Sequence, residues 1–402
     1  MDEARKYSYS LMRLIQSISK LPRVGTTIFT VMSQLAAKHG AVNLGQGFPD
    51  FDCDPRLQQR LTDAMRASHN QYAPMIGVPA LREAIAKKNA ALYDHQYDPD
   101  AEITVTAGAT QALMATILAL VHAGDEVIVL EPAYDSYVPA IVLAGGRPVF
   151  VPLDHAQRYA PDWDAVRAAV TNKTRMLLIN FPHNPTGRVL RDADISALER
   201  LVDQTGVLVV SDEVYEHVVF DRVPHRSVMR SPMLAAHSVV ISSFGKTFHT
   251  TGWKVGYACA PAPISAEIRK VHQFMVFAVN TPAQYAFAEH LADPRPYLDL
   301  PGFYQAKRDL FIQGLANTPF RALPCEGTYF VLADYSQVSN LTEAEFAKKL
   351  VTEYGVASIP VSVFYDAPVE HQVVRFCFAK EDRTLQQALA RFSALSVTAM
   401  GS

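Results

Sequence analysis

The sequence predicts an α/β protein in which a large domain is built on a mostly parallel, seven-stranded sheet and a smaller α+β domain lies beside it. Three observations point there. Short, unbroken Val/Ile/Leu runs recur between Glu102 and Pro261, as expected of strands covered on both faces by helices. Those runs alternate with helix-like segments, of which "TQALMATILALVHAG" is the clearest. After about Pro301 the texture changes to fewer strands and more helix.

In chain order, "AVNLGQGFPDFD" is too short to fold alone and is expected to complete the C-terminal domain. The expected division is therefore 1–60 as an N-terminal part of the small domain, 61–300 as the large domain, and 301–402 as the rest of the small one. Within the large domain "EITVTAG" reads as a strand leading into the helix "TQALMATILALVHAG". "DEVIVLEP", "GRPVFVPL", "RMLLINFP", "GVLVVSDE", "SVVISSFG" and "GYACAP" supply the other six strands, each ending in turn or polar residues. The small domain contributes "TYFVLADY", the helix-like "EAEFAKKLVTEYG", "VVRFCFAK" and the amphipathic "DRTLQQALARFSAL".

Composition narrows the function. The chain has 402 residues, 49% of them apolar, and a formal net charge of −3, with both signs spread along it. No basic block tracks a phosphate backbone, so nucleic acid and membrane surfaces are not expected partners. Four widely spaced cysteines, Cys53, Cys259, Cys325 and Cys377, form no C-x-x-C pair and read as free thiols of a reducing compartment. No metal site is expected. "MDEARKYSYSLMRLIQSISKLPRVG" lacks the apolar core of a signal peptide, and a cytoplasmic location is expected.

In an open α/β sheet ligands bind beyond the carboxyl ends of the strands, so polar residues that directly follow apolar runs are the candidates. Gly108, Ala109 and Thr110 follow "ITVTA", where a strand turns into a helix and free backbone N–H groups can cradle a phosphate. An ordinary turn with Thr110 as N-cap would give the same pattern. Asn184 lies in "LINFPHNPTG". Asp212, in "VLVVSDEVY", follows four apolar residues and needs a cationic partner, either a protonated ring nitrogen or a distant lysine or arginine. Lys246 ends "SVVISSFGK" among small residues. Desolvated there, its amine would lose basicity from the usual pKa of about 10.4 and could form a Schiff base with an aldehyde, although a structural lysine remains open.

Taken together, these segments resemble the class I and II pyridoxal-phosphate aminotransferases of fold type I. The motifs occur in family order over nearly the whole chain, and "SSFGKTFHTTGWKVG" is similar to the family's cofactor-lysine signature. The resemblance implies that Lys246 carries pyridoxal phosphate and shuttles the substrate proton. It implies that Asp212 pairs with the ring nitrogen, that Tyr215 and Asn184 donate to the ring's phenolic oxygen, and that Tyr134 stacks on the ring. It assigns the phosphate to Gly108, Ala109, Thr110, Ser243 and Lys254, and implies a homodimer in which Tyr72 reaches the neighbour's phosphate. Two positions depart from the pattern: Lys254 stands where arginine is usual, and His249 where a small or aliphatic residue is usual.

An amino-acid substrate also needs its α-carboxylate fixed. Arg375 sits inside the apolar run of "HQVVRFCFAK", an awkward place unless it meets an anion, and it matches the family's carboxylate-binding arginine; an internal ion pair is the alternative. Gly47 and Asn184 are expected to complete that end. No second arginine appears around "FMVFAVNTP", whereas Phe29, Phe277, Tyr134 and Phe364 suggest an apolar, aromatic-rich pocket suited to methionine, phenylalanine, tyrosine, glutamine or kynurenine. Bacterial methionine aminotransferases related to kynurenine aminotransferase are the branch most closely resembled. The competing reaction on the same framework is β-elimination of cysteine conjugates, a C–S lyase. A non-catalytic regulator is disfavoured because the chain has no spare DNA-binding module, and a dehydrogenase because no G-x-G-x-x-G follows a strand.

Overall fold

The seven apolar runs become seven strands of one sheet. The computed structural model describes residues 19–395, so most of the N-terminal stretch read for a signal peptide lies outside the described residues. A short β1 (Val42–Asn43) comes first, followed by β2 (Ile103–Thr106), β3 (Glu126–Glu131), β4 (Arg147–Pro152), β5 (Thr174–Asn180), β6 (Leu208–Asp212), β7 (Ser238–Ser243) and β8 (Gly256–Cys259). The order in the large sheet is β2-β8-β7-β6-β5-β3-β4, with only β8 antiparallel to its neighbours. Every residue of β2, β3 and β8 is buried, which is why these strands read as unbroken apolar runs rather than alternating ones.

Parallel pairing puts strand ends that are far apart in sequence on one edge. Asn180 pairs in register with Asp212 across β5 and β6, and Ser243 ends β7 next to them. The helix Ala109–Leu120 follows β2 directly, turning Ala112, Leu113 and Leu120 onto the sheet. Its cap is Gly108, at φ +77°, a left-handed conformation that a residue with a Cβ rarely adopts. Thr110 is thus inside the first turn and not the N-cap.

The second sheet is antiparallel, in the order β12 (Ile359–Pro360), β13 (Val373–Cys377), β10 (Phe330–Asp334) and β9 (Arg321–Ala322). β1 pairs in parallel with β11 (Val356–Ala357), and the helix Ile28–His39 packs on the helix Glu343–Tyr354, so the N-terminal segment is joined to the C-terminal part of the chain. A Thr342/Glu345 capping box starts Glu343–Tyr354 and a left-handed Gly355 ends it. The helix Pro55–Arg66 packs instead on Thr281–His290. All four cysteines are buried and free.

Candidate active site

A cavity of about 330 Å³ opens between the carboxyl edge of the large sheet and the segment Gln46–Phe48. Gly108, Ala109, Thr110, Tyr134, Asn184, Asp212, Tyr215, Ser243, Lys246, Lys254, Gly47, Phe29 and Arg375 all line it. They come from distant parts of the chain, and the sheet topology gathers them.

Lys246 stands on a single helical turn, Phe244–Thr247, capped by the Ser243 hydroxyl, which accepts from the Gly245 N–H at 3.3 Å. Its Nζ donates to the Gly47 carbonyl at 3.2 Å and to the Tyr329 hydroxyl at 3.0 Å. The rings of Tyr215 and Tyr329 lie 5.7 and 5.6 Å from it. Neither hydrogen bond goes to a carboxylate, and burial, helped by the nearby Arg375, pulls the amine's pKa down to about 8. At neutral pH an appreciable fraction of the amine is therefore free to act as a nucleophile.

Asp212 is 3% exposed. Its Oδ2 accepts from the Tyr137 hydroxyl at 2.7 Å and its Oδ1 from the Val214 N–H at 3.3 Å. Burial raises its pKa to about 6 against the opposing effect of those hydrogen bonds. Among the described residues no lysine or arginine forms an ion pair with it, so the distant salt bridge considered above is not formed. Asn180 steadies the same edge: its Nδ2 donates to the Asp212 carbonyl at 2.9 Å and its Oδ1 accepts from the Asn184 N–H at 2.9 Å. The Tyr215 ring meets Tyr329 edge-on at 5.1 Å, and burial pushes its hydroxyl pKa well up.

At the other side of the cavity Lys254, in a left-handed conformation at φ +55°, brings its Nζ to the start of the helix Ala109–Leu120. A Cβ on Gly108 would lie 3.2 Å from that amine. The first residues of the helix and this amine together line one end of the cavity, a recess whose donors suit an anion. Gly256 closes it from behind, because a Cβ there would come within 2.7 Å of the Ser242 carbonyl oxygen and 3.0 Å of the Ala109 nitrogen. Gly256→Ala should therefore destabilise the fold by about 1–3 kcal/mol and disturb this recess more than any other part of the cavity. Urea denaturation and inorganic phosphate binding check the two effects.

Arg375, on β13, is 1% exposed. One Nη donates to Asn184 Oδ1 at 2.7 Å and the other to the Gly45 carbonyl at 3.2 Å, whereas Nε is buried without a partner. Its guanidinium lies 3.9 Å from the Phe330 ring centre and 5.3 Å from those of Phe29 and Phe364. Among the described residues it makes no ion pair, so the internal pairing considered above is absent. A planar cation clasped by three aromatic rings, with an unused donor, has the chemistry to take a carboxylate.

Tyr72 and Phe277, both expected at the site, are not brought to the cavity of this chain, and neither Phe364 nor His249 lines it. Tyr72 is 83% exposed, and its ring meets Phe277, itself 41% exposed, edge-on at 5.3 Å. Tyr72 does not pack beneath its own loop. His249 faces away, its ring edge-on to Phe51 at 4.9 Å with its Nε2 unpartnered. Sequence reading missed Tyr137, Asn180, Tyr329 and Phe330. Tyr137 falls one helical step after Tyr134, a spacing that could have shown it. Nothing local could have shown that Tyr329 donates to the carbonyl of Gly47 at 2.7 Å.

The fold and this constellation define a class, and the chain belongs to it: its residues 39–392 match the family "Aminotransferase class I and II". Among its relatives is the methionine aminotransferase of Escherichia coli, 53% identical over 378 residues, or 94% of this chain and 98% of that one. The "Probable N-succinyldiaminopimelate aminotransferase DapC" of Mycobacterium tuberculosis is 41% identical over 94% of this chain and 98% of its own. A solved Escherichia coli structure, described as identifying a methionine aminotransferase function, superposes with a TM-score of 0.93 at 53% identity, covering 95% of this chain and all of that one. The protein is accordingly an enzyme, an aminotransferase on the α/β framework expected from the sequence.

Proposed function

We propose that the protein moves the amino group of an apolar or aromatic L-amino acid, with methionine the first candidate, onto a 2-oxo acid, and that Lys246 carries pyridoxal phosphate for this purpose. The observation that carries the reading is the pairing of a buried, carboxylate-free lysine amine with a buried, cation-free carboxylate at Asp212, across one cavity. The residues fit that cofactor: an amine of lowered basicity for its aldehyde, an unpaired acid for its ring nitrogen, and a recess of N–H groups with Lys254 for its phosphate. When bound, pyridoxal phosphate acts as an electron sink for the substrate Cα–H bond and holds the amino group between the two half-reactions.

The remaining work belongs to side chains. Arg375, with Asn184 and the Gly47 backbone, fixes the α-carboxylate of each substrate in turn, which predicts ping-pong kinetics. Lys246 takes the proton from the Cα of the donor amino acid in the first half-reaction and delivers one to the Cα derived from the 2-oxo acid in the second. Tyr137 holds Asp212 in place through the hydrogen bond to Oδ2, and Tyr134, Tyr215 and Ser243 are the remaining cofactor contacts. Phe29, Phe330 and Phe364 surround Arg375 with apolar surface that favours an uncharged side chain and excludes water. The exposed rings of Tyr72, Phe274 and Phe277 mark the face through which a second copy completes the site, in a homodimer whose Tyr72 and Phe277 reach the neighbour's cavity. Among the described residues no helix is long and apolar enough to cross a membrane. The reading remains that of a cytoplasmic enzyme, with the described N-terminal segment around β1 and residues 301–395 forming one small domain, and with the boundary expected at residue 60 moved ahead of the helix Pro55–Arg66, which packs on the large domain.

A pH dependence follows from the amine. Free above its pKa and protonated below it, Lys246 should capture pyridoxal phosphate faster as pH rises through about 8, with a plateau above, instead of rising toward the ordinary lysine value. Stopped-flow absorbance on cofactor-free protein reads the midpoint. Substrate choice is tested by a panel of donors, with and without 2-oxo acids, in which every product is identified. It should include methionine, phenylalanine, glutamine, kynurenine and an amino acid with a distal carboxylate. Amino-group transfer that needs the oxo acid and is fastest with methionine supports the reading. Acceptor-independent release of thiol and ammonia from a cysteine conjugate as the main reaction would replace it with the lyase.

A further inference from the structure

The strand-end segment that supplies Asp212 and Tyr215 continues to Glu216, which lies outside the cavity, in a closely packed chamber behind the sheet edge that borders an open surface cleft. Glu216 is 4% exposed and accepts four hydrogen bonds: from Lys88 Nζ at 2.6 Å, the Tyr93 hydroxyl at 2.5 Å, the Ser242 hydroxyl at 2.7 Å and the Tyr257 hydroxyl at 3.2 Å. Lys88, 5% exposed, also donates to the Tyr257 hydroxyl at 2.8 Å, and His217 Nε2 stands 3.4 Å from its Nζ. Burial alone would push the Glu216 carboxyl up. Lys88, by its charge and its hydrogen bond, together with the Tyr93 hydroxyl, holds it well below the usual carboxylate range, so it is a buried anion. Burial keeps His217 itself neutral, with a pKa of about 3.

What this carboxylate ties together is specific. Glu216 adjoins Tyr215; Ser242 adjoins Ser243; Tyr257 adjoins Gly256, whose Cα packs on the backbone of Gly108 and Ala109. One anion, on the segment that follows β6, thus grips β7 and β8 through Ser242 and Tyr257, whose neighbours Ser243 and Gly256 face the lysine and phosphate ends of the cavity, while its own neighbour Tyr215 lines the cavity. Lys88 and Tyr93 bind it from the helix Pro79–Tyr93, on the other side of the chamber. A buried ion pair seldom adds stability over an apolar pair of the same volume, so its presence here calls for a geometric reason.

We propose that Glu216, held by Lys88, is a positioning residue that sets the cofactor cradle from behind by fixing Tyr215, Ser243 and Gly256 relative to one another. The inference rests on the cofactor reading given above. Neither residue touches the cavity, and their effect is passed on through adjoining residues of the backbone.

The test is a titration of the full-length chain with pyridoxal phosphate, followed by visible absorbance and its pH midpoint, on parent, K88M, E216Q, Y93F and the apolar double variant K88M/E216M. K88M and E216Q should weaken cofactor binding by about tenfold or more, the size of loss seen when the hydrogen-bond partners behind metal ligands are removed. They should also move the absorbance midpoint by about one pH unit, because Tyr215 no longer meets the ring oxygen correctly. The double variant should recover thermal stability while keeping both defects. A double variant with parental cofactor affinity and midpoint would overturn the proposal, since the pair would then serve stability alone. If the charge variants do not accumulate as folded protein, Y93F, which keeps the ion pair, decides: a smaller shift in the same direction sustains the proposal, and parental values overturn it. A parent that gives no visible band, and a K246A variant indistinguishable from it, would overturn the cofactor reading and this inference with it.

Discussion

Replacing Lys246 by alanine is expected to lower turnover by about four orders of magnitude or more, because it removes both the covalent anchor and the base that moves the Cα proton. The fold should survive. Nζ gives up only its bonds to the Gly47 carbonyl and the Tyr329 hydroxyl, and those two remain bonded to each other. Removing a desolvated amine also relieves the burial that lowers its pKa, so the thermal midpoint should hold or rise. Steady-state assays and differential scanning fluorimetry report the two quantities separately. A K246A protein that transaminates at the parental rate would contradict the role assigned to this amine.

The second large effect is expected at Arg375. Its alanine variant should lower kcat/KM by about 100- to 1000-fold for every α-amino acid alike, as loss of a buried, charge-assisted contact does. Most of the loss should appear in KM, with a smaller part in kcat from poorer orientation. The uniformity is the informative part, because the α-carboxylate is common to all substrates while the side chain is not. Asn184 loses its 2.7 Å partner in this variant, and Phe29, Phe330 and Phe364 lose the cation between them, so some loss of stability accompanies the kinetic one. A defect confined to one side-chain class would instead place Arg375 in specificity.

How much of this was legible beforehand depended on whether the signal was local. Seven apolar runs became the seven strands of the large sheet because burial on both faces leaves a run, and a run shows in one dimension. The front of the site was legible for a related reason: Asn184, Asp212 and Lys246 each follow such a run closely, where parallel pairing must bring strand ends together. Tyr329 and Phe330 stayed hidden, since they read as ordinary strand residues and acquire a role only when the second sheet meets Gln46–Phe48. Glu216 was hidden in a different way. It adjoins Tyr215, which was singled out as functional, yet its partner Lys88 lies more than a hundred residues away in the chain, and only the packed structure shows the amine turned inward to meet it. His249, flagged as a departure, turned out to face Phe51 and not the cavity.

The most direct test of the central claim is to reduce the cofactor-loaded protein with borohydride, digest it and locate the pyridoxyl group by mass spectrometry. The account predicts one label per chain, on the peptide containing Lys246 and on that amine. A label on Lys254 or on a surface lysine, or a protein that takes none, would contradict it.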